Sequence, residues 1–233
     1  MEKKKIIVVK AQNPIENYEK FINVLIHDLR VPIANMIEFA ELISDEETSE
    51  AEKLQYAQII SKEGHKTLSA MQSYLTLQKI EQGTMVLVKK SKLISEIVVE
   101  IEKIVSSFKH FRGSLFINNL VTKNDIDIDE NLFFSMITNL LKNAVEAIGS
   151  KKSDIFIHMF EEDDLFRLLI SNEGVVPVKI RSNLFKKFAT SGKTNGTGLG
   201  LFSVRLIAKA HGGNITYQPI AGSTSFSLKI PFK

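Results

Sequence analysis

The sequence of 233 residues contains no cysteine and no tryptophan. Without cysteine, the chain has no disulfide framework, no thiolate metal site and no cysteine nucleophile, and it fits a reducing compartment. Long hydrophobic runs are also lacking, since no stretch reaches the roughly 18 to 20 continuous apolar residues of a membrane-spanning helix. We therefore expect a cytoplasmic protein with no direct membrane span.

An excess of one charge is lacking as well. The chain has 30 Lys and Arg against 27 Asp and Glu, a formal net charge of +3, and the small excess is spread along the sequence. Because nucleic-acid binders usually gather basic residues on one face, we expect no nucleic-acid partner. The apolar share of 44% is sufficient for buried cores, and the length suits one large domain or two modest ones.

Apolar residues recur every three or four positions over the first third of the chain, which predicts two long helices. One apolar seam runs from Ile22 to Ile43, a second runs from Leu54 to Leu75, and the polar stretch 44–49 between them is predicted to be a turn. Such an antiparallel hairpin buries only part of its apolar surface by itself. We therefore expect a homodimer in which two hairpins pair into a four-helix bundle.

After Gly83, a residue suited to a helix C-terminus, helical and strand patterns alternate. Helices are predicted over 93–108, 131–148, 179–189 and 201–211, and strands over 114–118, 155–160, 165–171, 214–218 and 223–231. This mixture predicts an α+β arrangement in which one sheet packs under helices.

His27 is the first candidate for chemistry. Helical spacing places it about 200° around the axis from both Leu25 and Leu29, which points it away from the apolar seam and toward solvent. A lone histidine on the surface usually has no catalytic or binding role. Here Asp28 follows directly and is able to hold or take a ring proton, while Pro32, which costs about 3 kcal/mol inside a helix, follows shortly after. These neighbours favour a functional histidine.

Two asparagines form the second candidate. Asn139 and Asn143 are spaced i, i+4, so they share one face of the predicted helix over 131–148. Their side-chain oxygens suit Mg²⁺, and Glu146 is a lesser candidate for the same metal. A polar face on a surface helix explains the pattern equally well.

A glycine-containing stretch over 192–200 is the third candidate. Its glycines at 196, 198 and 200 let backbone N–H groups approach an anion, and the helix that follows adds the positive end of its dipole. A flexible loop is the alternative, and the stretch does not match the P-loop pattern.

Six short motifs occur in this order along the chain: 27–32, 77–83, 139–147, 184–193, 196–200 and 211–213. Together they resemble the two-component sensor histidine kinases, over roughly residues 15 to 233. The resemblance implies a short lead over 1–14, a dimerisation and histidine phosphoacceptor domain over 15–84, and an ATP-binding domain over 85–233. The second domain would be an α/β sandwich of the Bergerat type.

The resemblance also implies roles for single residues. His27 would be the phosphoacceptor, with Asp28 as its acid/base neighbour and Arg30 in the same catalytic motif. ATP and Mg²⁺ would be the cofactors, with Asn143 as the principal metal ligand. The nucleotide would contact the following residues: Asn139, Asn143, Asn172, Gly174, Lys193, Gly196, Thr197, Gly198, Leu199 and Gly200.

Two aromatic residues, Phe185 and Phe188, resemble the family's aromatic lid box. ATPases of the wider superfamily carry a Glu, which activates water, in the place held here by Asn139. An amide cannot act as that base, so the residues favour phosphoryl transfer to a histidine over hydrolysis.

Two positions depart from the family pattern. The adenine-binding box usually reads Asp-x-Gly-x-Gly, whereas Asn172 replaces the Asp here and no second glycine follows Gly174. Asn still accepts a hydrogen bond from adenine through Oδ1, at a loss of about 1 kcal/mol, although a flipped amide would face guanine. We expect weakened ATP binding. Val31 stands where relatives often carry a Thr or Asn that orients water, which predicts weak phosphatase activity.

The sequence therefore predicts an ATP-dependent protein histidine autokinase that passes phosphate from His27 to an Asp of a response-regulator receiver domain. Because the lead over 1–14 is too short for a sensor domain, the input is expected from a separate sensor protein or from a segment that this chain lacks. The alternative is a phosphotransfer or docking scaffold with a degenerate nucleotide site at Asn172. A Ser/Thr-directed kinase of the same superfamily would leave the His27 motif unexplained.

Overall fold

A computed structural model describes residues 14–189, 198–220 and 222–233. The chain divides between Thr76 and Leu77 into two compact units. The lead over 1–14 lies almost entirely outside the described residues. The predicted domain boundaries near residues 15 and 84 stay predictions.

The first unit contains helix α1 (Pro14–Ile43) and most of helix α2 (Glu50–Glu81). A capping box begins α2: the Glu52 carboxylate accepts hydrogen bonds from the N–H and hydroxyl groups of Ser49, and the Ser49 Oγ accepts from the Glu52 N–H. The two helices approach closely near Gly64, where an added Cβ would lie 3.5 Å from the Met36 sulfur. The predicted helical hairpin is confirmed.

A Schellman turn ends α2. The N–H groups of Gly83 and Thr84 donate to the carbonyls of Ile80 and Lys79, at 3.1 and 3.0 Å respectively. Gly83 adopts a φ of 69°, a conformation that residues with a Cβ rarely adopt. Glycine is therefore required where the sequence pattern placed the end of the helix.

The second unit is built from seven strands and four helices beyond α2 within the described residues. In chain order they are β1 (Lys90–Leu93), α3 (Ile94–Ser106), β2 (Leu115–Asn119), β3 (Asp125–Ile128), α4 (Glu130–Ile148), β4 (Ile155–Glu162), β5 (Leu165–Glu173), α5 (Val178–Arg181), α6 (Gly200–Ala210), β6 (Asn214–Ile220) and β7 (Ser223–Pro231). Five strands form one sheet in the order β2-β4-β5-β7-β6, in which β2 runs parallel to β4 and the other pairs are antiparallel.

Helices cover one face of this sheet. Strands β4 and β5 alternate buried and more exposed residues, so one face of each strand enters the core. The apolar faces of α3, α4 and α6 belong to the same buried cluster as these strand residues. Fully buried members of the cluster include Ile97, Ile101, Phe133, Ile137, Leu141, Ile157, Phe166 and Leu228. The predicted α+β fold class, with an α/β sandwich after the hairpin, is confirmed.

Two details of the sequence prediction were wrong. The structure has a second, two-stranded sheet formed by β1 and β3, where one sheet was expected. β1 is polar and short, so its pattern carried no strand signal. The helix expected over 179–189 is confined to Val178–Arg181, and turns follow. Phe188 has a φ of 64°, which an α-helix does not accommodate.

Candidate active site

Helix α4 presents two amides on the side turned away from the core. Asn139, Asn143 and Ala147 are spaced i, i+4 and share one face, and both asparagines are half-buried. Asp129 caps the start of the helix by accepting a hydrogen bond from the Leu132 N–H. The face carrying the asparagines is therefore held by a capped helix whose opposite face is buried in the core.

The first turn of α6 packs against one end of this face. Asn139 Nδ2 donates to the Ser135 carbonyl at 3.1 Å and to Ser203 Oγ at 3.3 Å. Ser203 Oγ in turn donates to the Gly200 carbonyl at 2.7 Å. A Cβ on Gly200 would lie 3.5 Å from Asn139 Oδ1. The structure thus brings together Asn139 and Gly200, which are distant in the sequence.

The end of β5 lies against the other end of the face. Gly174 follows β5 with a φ of 114°, and an added Cβ would contact Ala147 at 3.7 Å. Asn172, only 3% exposed, donates from Nδ2 to the Glu173 carbonyl at 2.6 Å. Thr224 on β7 donates to the Gly174 carbonyl at 2.8 Å. Asn172 and Gly174 are therefore held where α4 ends.

Asn143 lies between these two ends, one helical turn from Asn139 and one from Ala147. The four predicted residues Asn139, Asn143, Gly174 and Gly200 consequently border one stretch of α4. Ser203 and Thr224 were missed by the sequence analysis. Ser203 alone carried a signal, since it follows Gly200 by three residues and shares its helix face.

A close backbone contact joins Phe188 to Gly198. The Phe188 N–H donates to the Gly198 carbonyl at 3.0 Å, and a Cβ on Gly198 would lie 2.5 Å from the Phe188 carbonyl carbon. Gly198 has a φ of 68°, so both conformation and space require glycine. Leu199 is buried and Phe185 packs edge-to-face on Phe226, with 6.2 Å between ring centroids.

Three predicted nucleotide contacts and two side chains of α1 fall outside the part of the chain that the structure describes. Lys193, Gly196 and Thr197 lie outside the described residues. His27 and Asp28 belong to α1, but their side chains lie outside the described part of the chain, and Arg30 is exposed. The catalytic roles of the α1 residues stay predictions.

The donors on α4 fit a magnesium ion. Mg²⁺ prefers oxygen ligands and usually binds through one or two protein groups together with phosphate and water. Asn143 offers an amide oxygen of this kind, midway along the face. Across the described residues no group of three or more His, Cys, Asp or Glu could hold a metal ion. A magnesium ion at this face would be held by Asn143 together with a bound phosphate.

Fold and site together define a protein class: a helical hairpin followed by an α/β-sandwich domain whose candidate site lies along one helix. Two family models match the chain. Residues 18–83 match the His Kinase A phospho-acceptor domain, and residues 128–233 match the histidine kinase-, DNA gyrase B- and HSP90-like ATPase domain. The chain belongs to the two-component histidine kinase family.

Known histidine kinases resemble the chain along most of its length. The sensor protein KdpD of Clostridium acetobutylicum is 28% identical over 216 residues, covering 88% of this chain and 24% of KdpD. The sensor histidine kinase WalK of Bacillus subtilis is 23% identical over 240 residues, covering 97% of this chain and 38% of WalK. The chain therefore spans less than half the length of these relatives.

Solved structures show the same fold. The histidine kinase AdeS of Acinetobacter baumannii superposes with a TM-score of 0.64 at 21% identity, covering 89% of this chain and 98% of AdeS. The histidine kinase ThkA, solved in complex with the response regulator TrrA, superposes with a TM-score of 0.62 at 18% identity, covering 94% of this chain and 63% of the ThkA chain. Among the helices described, none is long and apolar enough to cross a membrane.

Proposed function

We propose that the protein is an ATP-dependent histidine autokinase that phosphorylates His27 and passes the phosphoryl group to an Asp of a response-regulator receiver domain. One observation carries the proposal: the α4 face with Asn139 and Asn143 is bordered by Gly174 at one end and Gly200 at the other. This arrangement suits a nucleotide whose base lies near Asn172 and whose phosphates lie near the start of α6.

The amide orientation of Asn172 supports adenine as the base. Its Nδ2 donates to the Glu173 carbonyl, which leaves Oδ1 as the acceptor of the side chain. Adenine offers an exocyclic amine donor, whereas guanine offers an acceptor at the corresponding position. The orientation therefore suits an adenine whose amine donates to Oδ1.

Autophosphorylation needs a nucleophile and a proton acceptor. The neutral His27 imidazole would attack the γ-phosphorus of ATP, forming an N–P bond as the bond to the β,γ-bridging oxygen breaks and ADP leaves. Asp28 is placed by sequence to take the proton that the ring loses. Mg²⁺, when bound, neutralises phosphate charge, and Asn143 is the residue that would hold it. Because Asn139 is an amide, it supplies no base to activate water.

Exposed apolar residues on the hairpin support a homodimer. Large apolar side chains on both helices are 41% to 64% exposed. They are Ile26, Ile33, Ile37, Leu54, Leu68, Met71 and Leu75. A single hairpin leaves this apolar surface in contact with water, which marks it as an interaction surface. Pairing of two hairpins would bury them in a four-helix bundle. A separate sensor protein is a further proposed partner.

Weak phosphatase activity is part of the proposal. Val31 lies one turn after His27, is 56% exposed and has no hydrogen-bonding group to orient water. The protein is therefore expected to phosphorylate its regulator much faster than it dephosphorylates it.

The main test is incubation with γ-labelled ATP and Mg²⁺. We expect acid-labile, alkali-stable label on the protein, and its loss in His27→Gln and Asn143→Ala variants. Matched controls are His65→Gln, an exposed histidine on α2, and Asn131→Ala, an exposed asparagine on α4. Both controls should keep the label.

A scaffold is the alternative, and Asn172 in place of the usual Asp is the observation that favours it. A scaffold would take no label from ATP but would acquire it on His27 from a phosphorylated receiver. That pattern would refute the kinase proposal, whereas label from ATP that depends on both His27 and Asn143 would refute the scaffold.

A further inference from the structure

Lys187 connects the end of α2 to the first turn of α6. Its Nζ lies 2.6 Å from Glu81 Oε2 and 5.3 Å from the centroid of the Phe202 ring. Glu81 is the last residue of α2 and belongs to the second compact unit, as do Lys187 and Phe202. One lysine therefore contacts both elements, which are far apart in the sequence.

The carboxylate end of this ion pair is firmly anchored. Ile80, the neighbour of Glu81, packs against the core cluster of the second unit, and the Schellman turn at Gly83 ends the helix directly afterwards. The Lys187 side chain is only 19% exposed and that of Glu81 is 46% exposed. Solvent thus screens the pair less than it screens a fully exposed one.

The backbone beside Lys187 joins the start of α6. Phe188 adopts a φ of 64° and donates its N–H to the Gly198 carbonyl. Gly198 leads directly into Leu199 and Gly200, residues predicted to contact the nucleotide phosphates. Any displacement of Lys187 would therefore be transmitted through Phe188 to this predicted phosphate contact.

We propose that Glu81 and Lys187 are positioning residues for nucleotide binding. Their ion pair holds the segment 184–188 against the end of α2 and, through the Phe188–Gly198 hydrogen bond, holds the start of α6 in its binding position. The inference rests on the proposed function, because the nucleotide is placed at α6 by that proposal.

A double-mutant cycle tests the inference on the full chain. The variants are Glu81→Gln, Lys187→Gln and the two together, with Glu100→Gln as the matched control, since Glu100 forms an ion pair with Lys103 on α3 at 3.1 Å. Two readouts are measured: amide hydrogen exchange of peptides covering 184–189 and 198–203, and the Kd for ATP by titration calorimetry. The kcat of autophosphorylation at saturating ATP is measured alongside.

We expect each single variant to raise exchange in both peptides and to weaken ATP binding about threefold, within the range of partly exposed ion pairs. The double variant should be no worse than Lys187→Gln alone, since Lys187 also contacts Phe202, and kcat at saturating ATP should change less than twofold. Glu100→Gln should match the parent protein in every readout.

Two outcomes would overturn the inference: exchange and Kd in Glu81→Gln that match those of Glu100→Gln, or effects of the two substitutions that multiply in the double variant. Failure of the proposed function has a different signature. In that case the parent protein binds no ATP, and the exchange cycle alone decides whether the ion pair holds the segment.

Discussion

His211 ties the end of α6 to the start of α4 and makes the second unit sensitive to acid. The ring is 2% exposed; its Nδ1 lies 2.9 Å from the Ile207 carbonyl, and its Nε2 accepts from the Asp129 N–H at 3.1 Å. Because Nε2 accepts a backbone N–H, the ring is neutral with its proton on Nδ1. A proton on Nε2 would place two donors face to face inside the core.

Several surroundings act on the pKa of His211. Burial is the largest and lowers the pKa below its usual value, while the hydrogen bond to Ile207 opposes it. Among the charges, Lys89 lowers the pKa further and Asp129 raises it. The net result is a lowered pKa, so the neutral ring predominates in the folded protein at neutral pH.

The sign of the pH effect follows from this lowered pKa. The unfolded chain takes up a proton at His211 near pH 6.5, where the folded protein does not. The stabilising contribution is therefore fully present above about pH 6.5 and is lost as the pH falls toward the folded-state pKa. Because a single proton is involved, the free energy of unfolding changes by no more than about 1.4 kcal/mol per pH unit.

The assay compares the free energy of unfolding of the parent and His211→Gln proteins, from urea titrations at pH 7.5, 6.5 and 5.5. The substitution itself is expected to cost about 1 to 3 kcal/mol at pH 7.5, because buried hydrogen bonds are lost. The difference between the two proteins should shrink as the pH falls. His65→Gln, an exposed histidine replaced on α2, is the matched control. A difference that stays constant or grows toward pH 5.5 would refute the reasoning.

Two further substitutions test the site geometry. Gly198→Ala should weaken ATP binding more than tenfold in calorimetry, because the new Cβ would collide with the Phe188 backbone; Gly222→Ala, at a similar φ of 75° but with open space around it, should leave the affinity near that of the parent. Ser203→Ala removes the hydroxyl between Asn139 and the Gly200 carbonyl and should lower the free energy of unfolding by about 1 kcal/mol in urea titrations. Equal affinities of the two glycine variants, or no stability change in Ser203→Ala, would contradict this geometry.

Local patterns predicted much of the fold. The apolar periodicity predicted both helices of the hairpin and the helix α4, because one-sided burial imposes a repeat of about 3.6 residues. The gap between the predicted strands over 155–160 and 165–171 contains the turn between β4 and β5, where Asp163 and Asp164 adopt the positive φ values that short polar residues tolerate. By contrast, β1 is too polar and too short for its pairing with β3 to leave a periodic signal.

The candidate site could be predicted only in part, because some of its contacts leave no local pattern in the sequence. The i, i+4 spacing of Asn139 and Asn143 and the glycines before α6 are local features. They predicted metal and phosphate binding but not which residues of the folded chain they contact. The contact of Asn139 with Ser203, and that of Thr224 with Gly174, join residues more than 45 positions apart. Such contacts depend on strand order and helix packing, which no local period encodes.

By itself, then, the sequence determined most of the helices and strands, where Gly83 ends α2, and which residue types are available for phosphoryl transfer. Only the tertiary structure decided that one face of α4 is bordered by Gly174 and Gly200, that the His211 ring is neutral, and that Lys187 pairs with Glu81. The physical reason is the separation along the sequence over which each effect acts. Side-chain periodicity and turn conformations act over a few residues, whereas these contacts form only when the packed sheet and helices bring distant parts of the chain together.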